Sequence, residues 1–295
     1  MSYLLVQLDA PLWRAVRELY LKDLVVEALH EAELLGGLDS NDLYAEAEVR
    51  TKGRQWKLRP WLTLEAIESE VHDFHSLGQL VAAQCDDLSK RFGWDHREST
   101  LIAMLPQDVE APWMPGRWGY FVDKDPYDKI CLPHHLLANP GELVRTTRHE
   151  FMHDITLNLS SGKASRWLSE GLSTYAEDRR DPKAVLDFQT GAADWANPVD
   201  LVGLLTVDNR REEMQRSIHL AYAQSNLIVR YLVSQYGETE LGSLLQTLGD
   251  ESFFGSLQTE LMSRSHVDTA LRKQLHLSEM ELFEKAHEWV RAQAR

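Results

Sequence analysis

Residues 145–158 read Arg-Thr-Thr-Arg-His-Glu-Phe-Met-His-Asp-Ile-Thr-Leu-Asn, and within them His149, Glu150 and His153 spell H-E-x-x-H. This spacing constrains the local fold more than any other feature of the chain. Residues four apart lie one turn apart on one face of an α-helix, whereas in a strand they would be about 13 Å apart. Only the helix lets both imidazoles reach a single metal ion at about 2.0–2.1 Å. Glu150 then falls about 100° further round, off the histidine axis but close enough to hold a water and take its proton. Val144, Phe151, Met152, Ile155 and Leu159 cluster away from the histidines, while Glu142, Thr146 and Thr156 share their side. The pattern predicts a helix that backs onto a core and faces a cleft.

A third ligand follows. Trp167-Leu168-Ser169-Glu170-Gly171 places a carboxylate 17 residues past His153, beyond the turn signal Ser160-Ser161-Gly162. Two imidazoles and one carboxylate leave the fourth position of a tetrahedral zinc site open, which is the composition of a catalytic rather than a structural centre. With these residues in place, the sequence resembles the gluzincin metallopeptidases, the thermolysin-like and aminopeptidase N-like zinc hydrolases, and most of all the family called peptidase MA-like. The resemblance runs over roughly residues 60–240 and takes in His149, Glu150, His153, Glu170 and Tyr222 in Tyr-Ala-Gln-Ser-Asn-Leu-Ile-Val-Arg-Tyr-Leu.

That resemblance implies a zincin-like α+β fold, mostly helical, in which a small mixed or antiparallel sheet packs on the active-site helix and is followed by an all-helical lobe across a cleft. It also implies one zinc per chain held by His149, His153 and Glu170, with Glu150 as general base in the hydrolysis of a peptide or protein substrate. Tyr222, 52 residues past Glu170, matches the tyrosine that holds the oxyanion in the aminopeptidase N relatives. A core role for Tyr222 is the other reading, since Ile218, Tyr222, Ser225, Val229 and Leu232 fall at helical spacing, and His219 is the alternative donor. One element is missing. No Gly-x-Met-Glu-Asn occurs in residues 93–145, so the carboxylate that binds a free substrate amine in those relatives has no counterpart here. The competing function is a gluzincin-shaped scaffold that binds a peptide or partner protein without turning it over.

Composition bounds the partners. The net charge of −15, from 31 basic and 46 acidic residues, opposes binding to nucleic acid or an anionic membrane, both of which need clustered cations. Cys85 and Cys131 are the only cysteines and read as buried thiols. The start of the chain lacks a basic, apolar leader, and no run of about 18 apolar residues occurs, so the expected location is cytoplasmic.

Taken in order, apolar positions from Leu12 to Leu34 predict one amphipathic helix closed by Gly36-Gly37, within an amino-terminal extension over residues 1–55. A long helix is predicted from Thr63 to Phe92. His72 and His75 within it lack a third ligand, and His30 is a surface residue. Ser99–Leu105, Gly119–Val122 and Lys129–Leu132 read as strands, with Arg117–Val122 either the substrate-pairing edge of the sheet or a covered core strand. The catalytic lobe spans 56–180 and a carboxy-terminal helical lobe 181–295. Helices are expected over Arg166–Arg180, Glu212–Tyr236, Ser263–His276 and Ser278–Ala294, with Gly171 letting the Glu170 helix approach the histidine helix. Glu177 or Asp178 could support a histidine ligand, or be a solvated charge.

Overall fold

The structure, a computed structural model, describes residues 13–35, 41–71, 73–96, 98–106, 119–206, 214–250 and 265–293. Twelve α-helices and five strands are found among them, so the α+β, mostly helical class is as expected. The chain divides into two compact units: Met1–Asp87 with Asp95–Asp154, and Leu88–Trp94 with Ile155–Arg295. This partition passes through the histidine helix.

In the first unit, α1 (Arg14–Leu21), α2 (Val25–Leu34) and α3 (Asn41–Lys52) precede a mixed sheet. The single helix predicted from Leu12 to Leu34 is two, because Asp23 adopts a left-handed backbone conformation at φ 55° that no helix continues through. The sheet has the order β1-β2-β3-β5-β4, from β1 (Arg54–Lys57), β2 (Leu62–Ala66), β3 (Thr100–Met104), β4 (Tyr120–Val122) and β5 (Asp128–Leu132). β2, β3 and β5 run parallel, and β1 and β4 pair antiparallel at the two edges.

The helix predicted from Thr63 is corrected here. Residues 62–66 form β2, in register with β3 at Leu64 and Ile102, and only Phe74–Phe92 is helical, as α4. Leu64, Ile67, Val71 and Phe74 happen to fall at helical spacing, but residues 62–66 pair with a strand on each side, and Leu62, Leu64, Glu65 and Ala66 are buried, as an inner strand requires. β3 and β5 are buried at every position, as inner parallel strands require. β4 is indeed an edge strand. Its Tyr120 and Val122 pack with Val16, Tyr20 and Leu43 of the leading helices, so this face is covered. Arg117 and Trp118 lie outside the described residues, as does His72.

The leading helices are fastened to the sheet by charge. Lys124 and Lys129 have no exposed side-chain surface, and each meets Glu46 Oε2 at 2.9 Å and Asp23 Oδ1 at 3.2 Å. Lys124 also sits 3.6 Å from the centroid of the Tyr20 ring. Tyr20 and Tyr120 donate to Glu46 Oε1 at 2.6 and 2.8 Å, and Arg50 pairs with Asp23 and, at 3.3 Å, with Glu65. Three anions thus face three cations in the core. Burial opposes ionisation of Glu46 and Asp23, yet the two lysines win and hold both carboxyls below their ordinary values.

In the second unit, α6 (Arg166–Ala176), α7 (Pro182–Thr190), α8 (Pro198–Thr206), α9 (Gln215–Tyr236), α10 (Glu238–Gly249), α11 (His266–Leu275) and α12 (Glu279–Ala292) follow the histidine helix α5 (Pro140–Ser160). Ser278 caps α12 in a reciprocal capping box with Glu281. α6 and α9 pack closely because Gly171 has no side chain. A Cβ there would stand 2.6 Å from the Ser225 carbonyl oxygen. The glycine therefore serves α9, not the approach to the histidine helix that its position beside Glu170 had implied.

The charged core carries a prediction. Glu46 and Asp23 bind fewer protons folded than unfolded, so their stabilisation is complete above about pH 5, begins to fall as pH drops below their ordinary values of 4.5 and 3.8, and is lost as pH falls through the lower folded values. Glu46→Gln leaves two buried ammonium groups short of a carboxylate and should lower stability by about 3–5 kcal/mol. Urea unfolding followed between pH 3 and 7 checks both, the variant losing most of the acid-dependent change.

Candidate metal centre

α5 begins at Pro140, whose fixed φ suits the first turn, and Glu142 in that turn complements the positive helix end. Phe151, Met152 and Ile155 are fully buried, as the apolar pattern requires. Thr146 and Thr156, on the histidine side, are buried as well, so α5 is enclosed over more of its circumference than a simple amphipathic helix. Trp61 stacks on Phe151 at 5.8 Å between centroids. Asp154, next to His153, has no exposed surface and accepts a hydrogen bond of 2.6 Å from Thr100 Oγ1 at the head of β3. That bond fixes the rotation of α5 about its axis.

With the axis fixed, the Nε2 atoms of His149 and His153 stand 3.2 Å apart. Two ligands of a tetrahedral ion at about 2.0–2.1 Å are separated by about 3.3–3.4 Å, so the imidazoles already hold the spacing of a shared metal. Their rings meet edge to face at 73°. Both are half-buried, and Glu150 between them is 5% exposed.

The third residue comes from α6. Trp167 is wholly buried, donates from Nε1 to Glu279 Oε1 at 2.6 Å, and meets the Phe283 ring edge-on at 5.2 Å. Leu168, Leu172 and Ala176 bury the rest of the same face. This anchoring sets the phase in which Glu170 emerges, 6% exposed, with Arg166 Nη2 at 3.2 Å from its Oε1. Ligand atoms of His149, His153 and Glu170 all lie within 4.8 Å of one another, a grouping that could hold a metal ion. The donor set, two neutral imidazoles and one carboxylate, fits a borderline-soft divalent ion and leaves a coordination position for a substrate or solvent oxygen.

Tyr222 and His219 both lie on α9, and the structure separates them. His219 is exposed, and its Nε2 is 2.5 Å from Asp181 Oδ2, the residue that caps α7 through Ala184 N–H. Burial opposes ionisation of Asp181, but the capping N–H and then His219 hold its carboxyl below the ordinary value. The histidine is thus engaged in a surface contact. Tyr222 is half-buried, whereas Ile218, Ser225, Val229 and Leu232 around it are buried. Asp178 is exposed in a left-handed turn at φ 56°, a solvated charge; His75 is exposed and bonded to Gln79. Cys85 and Cys131 are buried free thiols, as expected.

A family comparison reaches this same region. Residues 137–260 match the model of the Peptidase MA superfamily. No curated protein matches. A similar solved structure is that of a mutant M1 zinc metallopeptidase from Deinococcus radiodurans, at 17% identity over 80% of this chain and 50% of that one, with a TM-score of 0.38. The chain spans half the length of that neighbour, and so distant a likeness adds nothing to the reading of the site. Among the described residues, no helix is long and apolar enough to cross a membrane.

Two substitutions check the geometry. His149→Ala and His153→Ala should each abolish stoichiometric binding of a divalent metal, read by elemental analysis, while His219→Ala retains it. Gly171→Ala should destabilise by about 1–3 kcal/mol through overpacking against Ser225, read as a lowered midpoint of thermal unfolding. Residues 137–260, which contain His149, Glu150, His153 and Glu170, are similar to the Peptidase MA superfamily, the kinship that the sequence resemblance had suggested.

Proposed function

We propose that this protein is a zinc-dependent peptidase. The observation that carries the reading is the convergence of His149, His153 and Glu170 within 4.8 Å, with the carboxylate of Glu150 buried on the same helix. Zinc held by these three side chains would act as a Lewis acid toward a scissile carbonyl and would lower the pKa of water towards about 7.

The rest of the chemistry falls to the chain. Glu150 accepts the proton of the attacking water and returns it to the leaving amine. Its low exposure keeps bulk water from competing for that proton. Tyr222 donates its phenolic hydrogen to the oxyanion formed on the substrate carbon, a role that needs a donor without a gain of charge. The contact between His219 and Asp181 favours the tyrosine over the histidine for this role. The absence of Gly-x-Met-Glu-Asn in residues 93–145 supports a peptidase that does not require a free substrate amine.

Glu150→Gln should keep zinc and lose turnover by about 10²–10⁴-fold, since the amide preserves shape but cannot take a proton. Tyr222→Phe should keep zinc and fold but lose about 10²-fold or more, the size of a missing oxyanion donor, while His219→Ala turns over like the parent. Mixed-peptide digestion read by mass spectrometry, beside metal analysis, tests both. Amino-blocked and free peptides of one sequence should be cleaved alike. Stoichiometric zinc without turnover in the parent would instead assign the fold to a peptide-binding scaffold.

A further inference from the structure

Seven arginines are half-buried among the described residues, and six of them (Arg50, Arg59, Arg91, Arg145, Arg148 and Arg166) have a carboxylate oxygen within 3.2 Å. Arg230, on α9, has none among the described residues. Acidic residues outnumber basic ones 46 to 31 in this chain, so a shortage of carboxylates does not explain the gap.

The contacts of Arg230 are all to neutral groups. Nε donates to Asn226 Oδ1 at 2.8 Å, Nη2 donates to the carbonyl of Arg179 at 2.9 Å, and the guanidinium carbon lies 5.3 Å from the centroid of the Tyr175 ring. Two of its five N–H donors are used among the described residues. Asn226, one turn earlier, is 8% exposed, and its Nδ2 is buried without a partner. The amide cannot gain by flipping, because its oxygen must face the guanidinium. Burial, and then the neighbouring Arg180, shift the guanidinium pKa below its ordinary value, and Asp178 acts on it only from beyond ion-pair distance. Glu238, which accepts a 2.7 Å hydrogen bond from Tyr175, is paired with Arg91, so among the described residues no carboxylate pairs with Arg230, and a buried donor lies beside the planar cation.

We propose that Arg230 and Asn226 bind a carboxylate of the peptide substrate. The proposal rests on the peptidase reading and deepens it. Tyr175, beneath the guanidinium, follows Glu170 by five residues on α6, a rise of about 7.5 Å along the helix that supplies the third metal ligand. Tyr175 also stands about 140° round the helix from Glu170, so an extended peptide needs more than two residues to join the two places. A carboxylate is the anion whose planar pair of oxygens matches the guanidinium fork, and it offers a lone pair for Asn226 Nδ2. Exposed Arg179 and Arg180 add positive potential at the mouth of the site.

The test uses zinc-loaded Glu150→Gln protein, which binds without turnover, and an acetylated hexapeptide of one sequence prepared as free acid, as amide, and as amide with one internal Gln replaced by Glu. Binding is read by titration calorimetry. The free acid should bind about tenfold more tightly than the amide, and the preference should vanish when Arg230→Met keeps the stem packing but removes the fork. Asn226→Asp supplies the missing carboxylate internally and should abolish the preference without loss of volume, which covers the case in which Arg230→Met does not fold. Preference for the Glu-containing amide, lost in the same variants, would support the site and assign it to an acidic side chain rather than a chain terminus. Equal binding of all three peptides, or a preference unchanged in both variants, would overturn it. Zinc content and turnover of the parent report on the peptidase reading separately: an active protein indifferent to carboxylates loses only the Arg230 assignment.

Discussion

Two imidazole nitrogens 3.2 Å apart on one helix are the interaction on which the site depends. They are brought there by the 3.6-residue period, but the period alone leaves the helix free to rotate about its axis. The bond from Thr100 to Asp154 removes that freedom from the β3 side. On α6, the buried Trp167 does the same for Glu170 through Glu279 and Phe283. Each candidate ligand thus has a wholly buried polar or aromatic anchor one to five residues away, which is how a site on rigid elements keeps its geometry.

The grouping of His149, His153 and Glu170 was legible in the sequence because its signals are local. H-E-x-x-H is a statement about one turn of helix, and Trp-Leu-Ser-Glu-Gly about one more. The strand over Leu62–Ala66 was not legible, because Leu64, Ile67, Val71 and Phe74 satisfy a helical spacing by coincidence while the strand has only five residues in which to show its own period. β1 was missed altogether, since Arg-Gln-Trp-Lys at an edge is mostly exposed and carries no apolar alternation. Gly171 was recognised as a point of close approach, but nothing local could say that α9 was the helix approaching. The contact of His219 with Asp181 was likewise out of reach of a local reading, the two lying 38 positions apart.

The match over residues 137–260 leaves the sheet and the leading helices outside it. What organises that remaining part is a polar core rather than a motif. Its partners are far apart along the chain, Asp23 and Glu46 lying 101 and 78 positions from Lys124. No reading of neighbours finds such pairs, and a buried lysine on an inner strand looks, from sequence alone, like a solvent-facing residue.

The balanced core of Asp23, Glu46, Lys124 and Lys129 also bears on how this protein can change over time. A single replacement among the four strands an ion without its partner in a medium that solvates ions poorly, whereas exchange of a whole pair for apolar residues of similar volume is nearly neutral. Their effects on stability are therefore strongly non-additive. Drift at these positions is barred in single steps and open in double ones, so the four should be inherited as a set, turning over together where neighbouring surface residues turn over one at a time.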